Sequence, residues 1–325
     1  MKFRRRQILH LLTGAVAVSA APRFARAQAY PTRPVRLIVG FAAGGSTDIS
    51  ARLIAQWLTE RLGQAFVVEN RPGAGSNIAA EAVVNALPDG YTLLVGATAN
   101  AINTTLYDKL NFNFMRDTMP VAGIIRVPNV MEVNLSVPAR SVPEFITYAK
   151  ANPGNISMAS GGVGASSHMS GELFKFMTGI NMVHVPYRGV APALADLIGG
   201  QVQILFDTMP NTIEYIKTGK LRALAVTTTA RNAAMPDLPT VAEFLPGYES
   251  SAWYGVSAPK GTPADIVEKL NKEINAGLSD SKLGARLTDL GGILMHGSSA
   301  DFGKLIAGET EKWARVIRAA NLKAE

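Results

Sequence analysis

The chain of 325 residues has no cysteine and only four histidines. Without cysteine it can form no disulfide, present no thiolate nucleophile and build no thiolate metal site, so its stability must come from core burial. Three histidines, His168, His184 and His296, lie beyond the first 27 residues, and none has a second histidine two to four positions away. Chelating pairs need that spacing, so no metal is expected. No stretch approaches the roughly 20 apolar residues of a membrane-spanning helix. No serine stands in a Gly-x-Ser-x-Gly elbow, and Ser167 and His168 are neighbours at a helix start, where their side chains diverge. Cofactor motifs are missing too. Gly73-Ala74-Gly75-Ser76-Asn77-Ile78 has isoleucine where a dinucleotide fingerprint needs its third glycine, and the loop at Gly162 has Ser167 there. Neither segment ends in the Gly-Lys-Ser/Thr of a phosphate-binding loop, so no cofactor is expected.

What is present begins with an export pattern. Arg4-Arg5-Arg6, a moderately apolar run from Ile8 to Ala21, and Ala25-Arg26-Ala27 read as a cleavable signal over residues 1–27. His10, Thr13 and Gly14 interrupt the run, which is too short for an anchor. Arg5-Arg6-Gln7-Ile8-Leu9-His10 resembles a twin-arginine signal, with a plain secretory signal as close competitor. Cleavage would remove six of the 32 basic residues and no acid, leaving 26 against 25 and a net charge of +1. The high isoelectric point is then a property of the leader. No tract of basic residues interleaved with aromatics remains, so nucleic-acid binding loses its support. The remaining 298 residues suffice for one large or two medium domains.

From Val35 onward, apolar runs alternate with helical patterns. Val35 to Val39, Phe66 to Val68 and Tyr91 to Val95 read as strands, separated by helices over Ile49 to Leu62 and Ile78 to Leu87. This βαβαβ series implies a parallel sheet with ligands at the carboxyl ends of its strands. A second series starts after Val130, with strands over 131–133, 156–159, 182–185, 202–206 and 223–227 and helices over 142–151, 168–178, 191–198 and 212–218. Trp253 to Ala258 could carry the chain back to the first lobe. Helices over 262–275 and 298–322 would close that lobe, with Thr262 as an N-cap. No short-period repeat or low-complexity tract occurs.

Two strand-to-helix junctions consist almost wholly of small residues: Phe41-Ala42-Ala43-Gly44-Gly45-Ser46-Thr47-Asp48, and Ser160-Gly161-Gly162-Val163-Gly164-Ala165-Ser166-Ser167-His168. Such junctions expose backbone N–H groups at the positive end of a helix, beside hydroxyls, and make anion cradles. The plain alternative for the first is a tight turn, with Ser46 or Thr47 as N-cap and Asp48 satisfying first-turn amides. His168 is read either as a structural residue or as a donor near the second cradle. Asp207 ends the apolar run Ile204-Leu205-Phe206, where a lone acid is costly to bury. It could order water, bind a ligand amine or cap the next helix. Arg188, in Tyr187-Arg188-Gly189, offers a charge at another strand end or faces solvent.

Taken together these segments resemble the Bug-type receptors of tripartite tricarboxylate transporters. The resemblance is carried by Gly40 to Asp48, Asn70-Arg71-Pro72-Gly73-Ala74-Gly75, Gly164 to His168, Val185-Pro186-Tyr187-Arg188-Gly189, Ala191 to Val202, Gly219 to Ala225, Pro236 to Glu243 and Trp253-Tyr254-Gly255. It covers almost the whole chain beyond the leader. It implies an α/β, two-domain periplasmic binding protein of type II-like architecture, with parallel-type sheets flanked by helices and a cleft between the domains. Domain one is expected over 28–129 plus 251–325, and domain two over 130–250. The resemblance puts Phe41, Ala43, Gly44, Ser46, Thr47 and Asp48 on one side of a ligand carboxylate, and Ser160, Gly164, Ser166 and His168 on the other. Ala97, Thr98 and Asn103 match the segment after the third strand, and Asp207 an acid that organises water. Two departures stand out: Gly40 and Ala42, where many relatives have a proline nearby, and Ser76 and Ala79, where glycine is common.

The expected function is a monomeric periplasmic solute-binding protein, not an enzyme. It would capture a small carboxylate by domain closure and pass it to membrane permease subunits of a tripartite tricarboxylate-type transporter. The alternatives are a receptor that signals to a membrane sensor kinase and, more remotely, an exported hydrolase or lyase.

Overall fold

The computed structural model describes residues 30–289 and 291–324. The expected signal at 1–27 lies outside the described residues. Three parallel strands, β1 (Val35–Val39), β2 (Phe66–Asn70) and β3 (Thr92–Ala97), form one edge of the sheet in the order β2-β1-β3. Between them run α1 (Ser46–Leu62) and α2 (Asn77–Val84). Helix α1 ends at Gly63, whose φ of 69° lies in the left-handed region open to glycine. After β3 come α3 (Thr98–Leu106) and the short α4 (Phe114–Asp117).

The chain then enters β4 (Thr118–Val133), a strand of 16 residues that belongs to both lobes. Its first part pairs antiparallel with β9 (Ser251–Pro259), from Thr118 opposite Pro259 to Pro128 opposite Ser251. Its last five residues pair with β7 (Ile204–Thr208), and Val130 to Val133 also pair with β8 (Arg222–Val226). The sequence pattern marked only residues 131–133, the end of this strand. Proline lacks the ladder N–H and is confined to edges and bulges. Pro120 stands beside such a register shift.

The second lobe adds α5 (Val142–Ala151), β5 (Ser157–Ser160), α6 (Ser166–Thr178), β6 (Val183–Pro186), α7 (Val190–Ile198), β7, α8 (Met209–Lys217) and β8. Here β6, β5 and β7 run parallel, repeating the plan of the first lobe. Both lobes are therefore mixed, each with a parallel trio joined to antiparallel strands. Strand β9 returns the chain between β3 and β4. Helices α9 (Ala264–Leu278) and α10 (Ser281–Asp289), strand β10 (Ile293–Leu294) and helix α11 (Ser299–Ala319) then complete the first lobe. Thr262 does not cap α9; its hydroxyl donates to the Pro259 carbonyl, and Pro263 takes the cap position. Ser298 caps α11 in a capping box with Asp301.

Each lobe buries its own core. Leu37, Ile54, Leu58, Val95, Ile125 and Leu270 mark the first, and Phe145, Phe174, Phe206 and Tyr248 the second. A smaller apolar cluster bridges them, where Ile102 and Leu106 of α3 and Trp313 and Ile317 of α11 meet Met169 of α6. Among the described residues no helix is long and apolar enough to cross a membrane.

Candidate functional site

Helices α1 and α6 both start where a parallel strand ends, and the residues at both starts line one cleft of about 490 Å³. The first N–H groups of any helix have no intrahelical acceptor and sit at the positive end of its dipole. Gly45 is the N-cap of α1 and Ala165 that of α6, and neither helix start carries a side-chain cap bond. Ser46 and Thr47 are thus first-turn residues rather than caps. With no side chain competing for them, these N–H groups remain available to an anion.

The first loop is braced from behind by Asp48. Its carboxylate accepts from Gly44 N (2.9 Å), Arg52 Nε (2.9 Å) and Asn70 Nδ2 (2.9 Å), and the same Asn70 amide reaches the Phe41 carbonyl at 3.0 Å. Burial alone would raise the Asp48 pKa, but these hydrogen bonds and the Arg52 charge outweigh it and hold the group below its ordinary value. Its negative charge is therefore spent inside the loop. In front, Ser46 Oγ shares hydrogens with Tyr254 Oη at 2.6 Å and Thr208 Oγ1 at 3.2 Å, joining α1, β9 and the end of β7.

The second loop is braced by histidines. Gly164 N donates to His168 Nδ1 at 3.2 Å, Ser160 Oγ pairs with His184 Nε2 at 2.6 Å, and the two imidazoles stack at 3.9 Å. Burial holds both rings neutral. His168 is driven down to about 3, with His184 and Lys175 adding to the effect, and His184 to about 4, with Lys175 adding. Ser167 Oγ accepts from Gly161 N at 2.9 Å. Gly164 has φ of 78°, and a Cβ there would lie 2.5 Å from Asn103 Oδ1, so only glycine lets this loop approach α3 of the other lobe.

Asp207 forms the floor. It is 1% exposed; its Oδ1 accepts from Thr208 N (2.6 Å) and Asn211 Nδ2 (3.1 Å), and its Oδ2 has no partner among the described residues. Burial pushes its pKa up to about 7 against those hydrogen bonds. Behind it lies Glu132, fully buried, which accepts from Thr212 Oγ1 and is raised well above its ordinary value by burial and then by the Asp207 charge. The two acids are diagonal neighbours on one face of the β4–β7 pair, since Asp207 stands opposite Val130. Sequence reasoning singled out Asp207 but missed Glu132, because only strand register brings the two together.

Nine of the fourteen expected site residues line the cleft: Phe41, Ala43, Gly44, Ser46, Thr47, Ala97, Thr98, Ser166 and Asp207. Asp48, Asn103, Ser160, Gly164 and His168 do not line it. Asp48, Ser160 and His168 are turned into the braces just described, and Asn103 donates to the Gly75 carbonyl and Asn77 Oδ1. Tyr254, Thr208 and Asn211 line the cleft without having been expected there, and Arg188, left open between a charge at a strand end and a solvent-facing residue, lines it too. The Val-Pro-Tyr-Arg-Gly segment held a signal for Arg188, whereas Tyr254 reaches the site only through the return of β9. The departures at 40 and 76 are neighbours in space: a Cβ on Gly40 would lie 1.9 Å from Ser76 Oγ, so the side chain at 76 occupies the room of one at 40. Ser76 adopts φ of 78° to stand there.

Comparison with known proteins agrees with this architecture. Residues 50–322 match the profile of the family described as "Tripartite tricarboxylate transporter family receptor". Protein BugT of Bordetella pertussis is 36% identical over 312 residues, covering 95% of each chain. The structure of R. palustris Rpa4515 with adipate is 40% identical with a TM-score of 0.87, covering 90% of this chain and 99% of that one. MatC from Rhodopseudomonas palustris with bound malate is 34% identical with a TM-score of 0.84, covering 89% and 100%. The two α/β lobes are those of a periplasmic binding protein, and the chain belongs to the Bug-type receptor family of tripartite tricarboxylate transporters.

Proposed function

We propose that this protein captures a small carboxylate in the cleft between its lobes and delivers it to the membrane permease subunits of a tripartite tricarboxylate-type transporter. The carrying observation is the convergence of two helix starts without side-chain caps, α1 and α6, on one cleft walled by hydroxyls. In this reading the carboxylate takes the backbone donors of the two first turns with Ser46, Thr47, Thr98 and Ser166, while Phe41, Ala43, Gly44 and Ala97 shape the wall. Asp48, Asn103, Ser160, Gly164 and His168 hold the loops in place from behind. Asp207, raised toward neutrality, donates a hydrogen to the anion when protonated. Rpa4515 and MatC, whose structures hold adipate and malate, support this reading.

The proposal extends to the rest of the chain. Residues 1–27 serve as the cleaved signal, by the twin-arginine or the general route. Domain one comprises 28–129 and 251–325, domain two 130–250, and the mature protein acts as a monomer. Closure then rests on the contacts that the bound state alone makes across the cleft. Calorimetric titration of the mature protein with a panel of mono-, di- and tricarboxylates tests the reading, and a panel without a single binder overturns it. Pulldown of permease-like subunits supports the transport role, whereas capture of a sensor kinase favours signalling.

A further inference from the structure

Among the described residues the chain passes between the lobes twice, along β4 and through the link that leads into β9, and a charge stands beside each passage. Arg126 lies on β4 opposite Trp253, two residues before Pro128, and Glu249 stands two residues before β9 begins. Both meet one helix. In α11, Glu309 accepts from Arg126 Nη2 at 3.4 Å, Lys312 Nζ at 2.9 Å and Trp313 Nε1 at 3.0 Å, while Lys312 Nζ also donates to Glu249 Oε2 at 2.8 Å. The other Glu249 oxygen accepts from Ser251 Oγ at 3.0 Å. Burial alone would raise the Glu249 pKa, but Lys312, with Arg126 behind it, holds the group below its ordinary value. Beside this cluster Trp313 joins the apolar contact between α11 and Met169 of α6. None of the four charged residues lines the cleft.

We propose that α11 clamps the hinge: Lys312, held by Glu309, draws Glu249 and the second lobe toward the first, so that a charge cluster outside the ligand site biases the lobes toward closure. This rests on the reading of the lobes as jaws that close, and it holds for any solute they close on. The lobes touch in this structure, since Ser46 Oγ of α1 meets Thr208 Oγ1 at the end of β7. The cross-lobe ion pair therefore belongs to an arrangement with the lobes together, and a contact made in one arrangement favours it. With two cations and two anions the cluster is balanced. Without Lys312, two carboxylates from opposite lobes would share one arginine, and their repulsion would push the lobes apart. The side chains of the cluster are between 7% and 32% exposed, so salt screens the pairs in part.

The absence of native cysteine lets one introduced cysteine per lobe take a spin label without competition. Glu60→Cys near the end of α1 and Lys217→Cys at the end of α8 replace exposed residues outside the cleft. Pulsed electron spin resonance of the ligand-free, doubly labelled protein then reads the distance between the lobes. Lys312→Met is expected to raise the ratio of long to short distances by about fivefold, and Glu249→Gln to do the same. Lys312→Arg should keep the distances of the parent, and the double variant should move no further than either single one. Added salt should lengthen the parent's distances and leave Lys312→Met nearly unmoved. Parental distances in both Lys312→Met and Glu249→Gln, even with a lowered melting temperature, overturn the clamp and reduce the cluster to a contact that stabilises the fold. Calorimetric titration with the carboxylate panel is read separately: a panel without a binder overturns the carboxylate reading, while the ligand-free distances decide the clamp.

Discussion

In the first loop, 40–48, the brace is an ionised carboxylate held by three donors; in the second, 160–168, it is a pair of stacked, neutral imidazoles. Both arrangements do the same work. They lock a glycine-rich turn so that a helix start opens onto the cleft. They differ in which proton they can tolerate. A buried carboxylate needs its charge and its donors together, whereas a buried imidazole pair needs the absence of charge. One cleft is therefore supported on two sides by chemistries that fail at different pH.

Removing a brace should break the comparison most visibly. Asp48→Ala leaves Arg52, Asn70 and Gly44 N without their acceptor, and is expected to cost about 2 kcal/mol in a urea melt. Carboxylate affinity should fall with it, by about tenfold, because the first cradle loses its shape. A cost below about 0.5 kcal/mol, the range of ordinary surface changes, would remove Asp48 from the brace.

Acid titration separates the two braces next. His168 and His184 titrate at about 3 and 4 in the folded protein and near 6.5 when unfolded. Below 6.5 the unfolded chain binds more protons, so stability drops as pH falls from 6.5 toward 4, by up to about 1.4 kcal/mol per unit for each ring. Asp48 has the same sign in a lower window: its lowered pKa contributes stability above the unfolded value, which is lost only as pH falls through the still lower folded one. The second loop should thus lose amide-exchange protection at a higher pH than the first. His168→Gln with His184→Gln should flatten the upper part of the curve. Simultaneous loss in both loops would show that the braces are not independent.

Between the braces, Asp207 sharpens the comparison from the floor. Its folded pKa near 7 means that an ionised ligand competes with its charge once the proton leaves. Carboxylate affinity should fall as pH rises from 6 to 8, approaching about tenfold per unit above 7 if one proton is taken up on binding. Calorimetry in buffers of different ionisation heat reads that proton directly, and Asp207→Asn should abolish the dependence. Affinity that does not change with pH would sink the assignment.

The smallest effect is expected from the cleft-facing hydroxyls. Ser46 Oγ has Tyr254 and Thr208 as partners, so Ser46→Ala should cost about 1 kcal/mol of stability in addition to affinity. Ser166, for which no hydroxyl partner is found among the described residues, should change stability by less than about 0.5 kcal/mol when replaced by alanine and affect ligand affinity alone. Thermal melts with and without ligand distinguish the two.

Much of this was legible beforehand where the signal is local. The alternation of short apolar runs with 3.6-residue periodicity marked the parallel trio of each lobe, and the small residues at 41–47 and 161–167 marked the strand-to-helix junctions. Helix α3 went unread because Thr98 to Leu106 mixes threonine and asparagine with apolar residues and offers no clear stripe. Most of the long β4 went unread beyond residues 131–133, and Pro120 within it stands beside a register shift in the pairing with β9.

By itself the sequence determined which backbone segments become cradles, since glycine, serine and helix starts act within a few residues of one another. Tertiary structure decided where the side chains of those segments point. Asp48 turns inward because Asn70 arrives from β2, and His168 because His184 arrives from β6. Ser46 meets Tyr254 because β9 re-enters the sheet, and Asp207 faces Glu132 because of strand register. These partners lie from 16 to 208 residues away in sequence. Burial and strand pairing bring them together, and short-range spacing carries no trace of either.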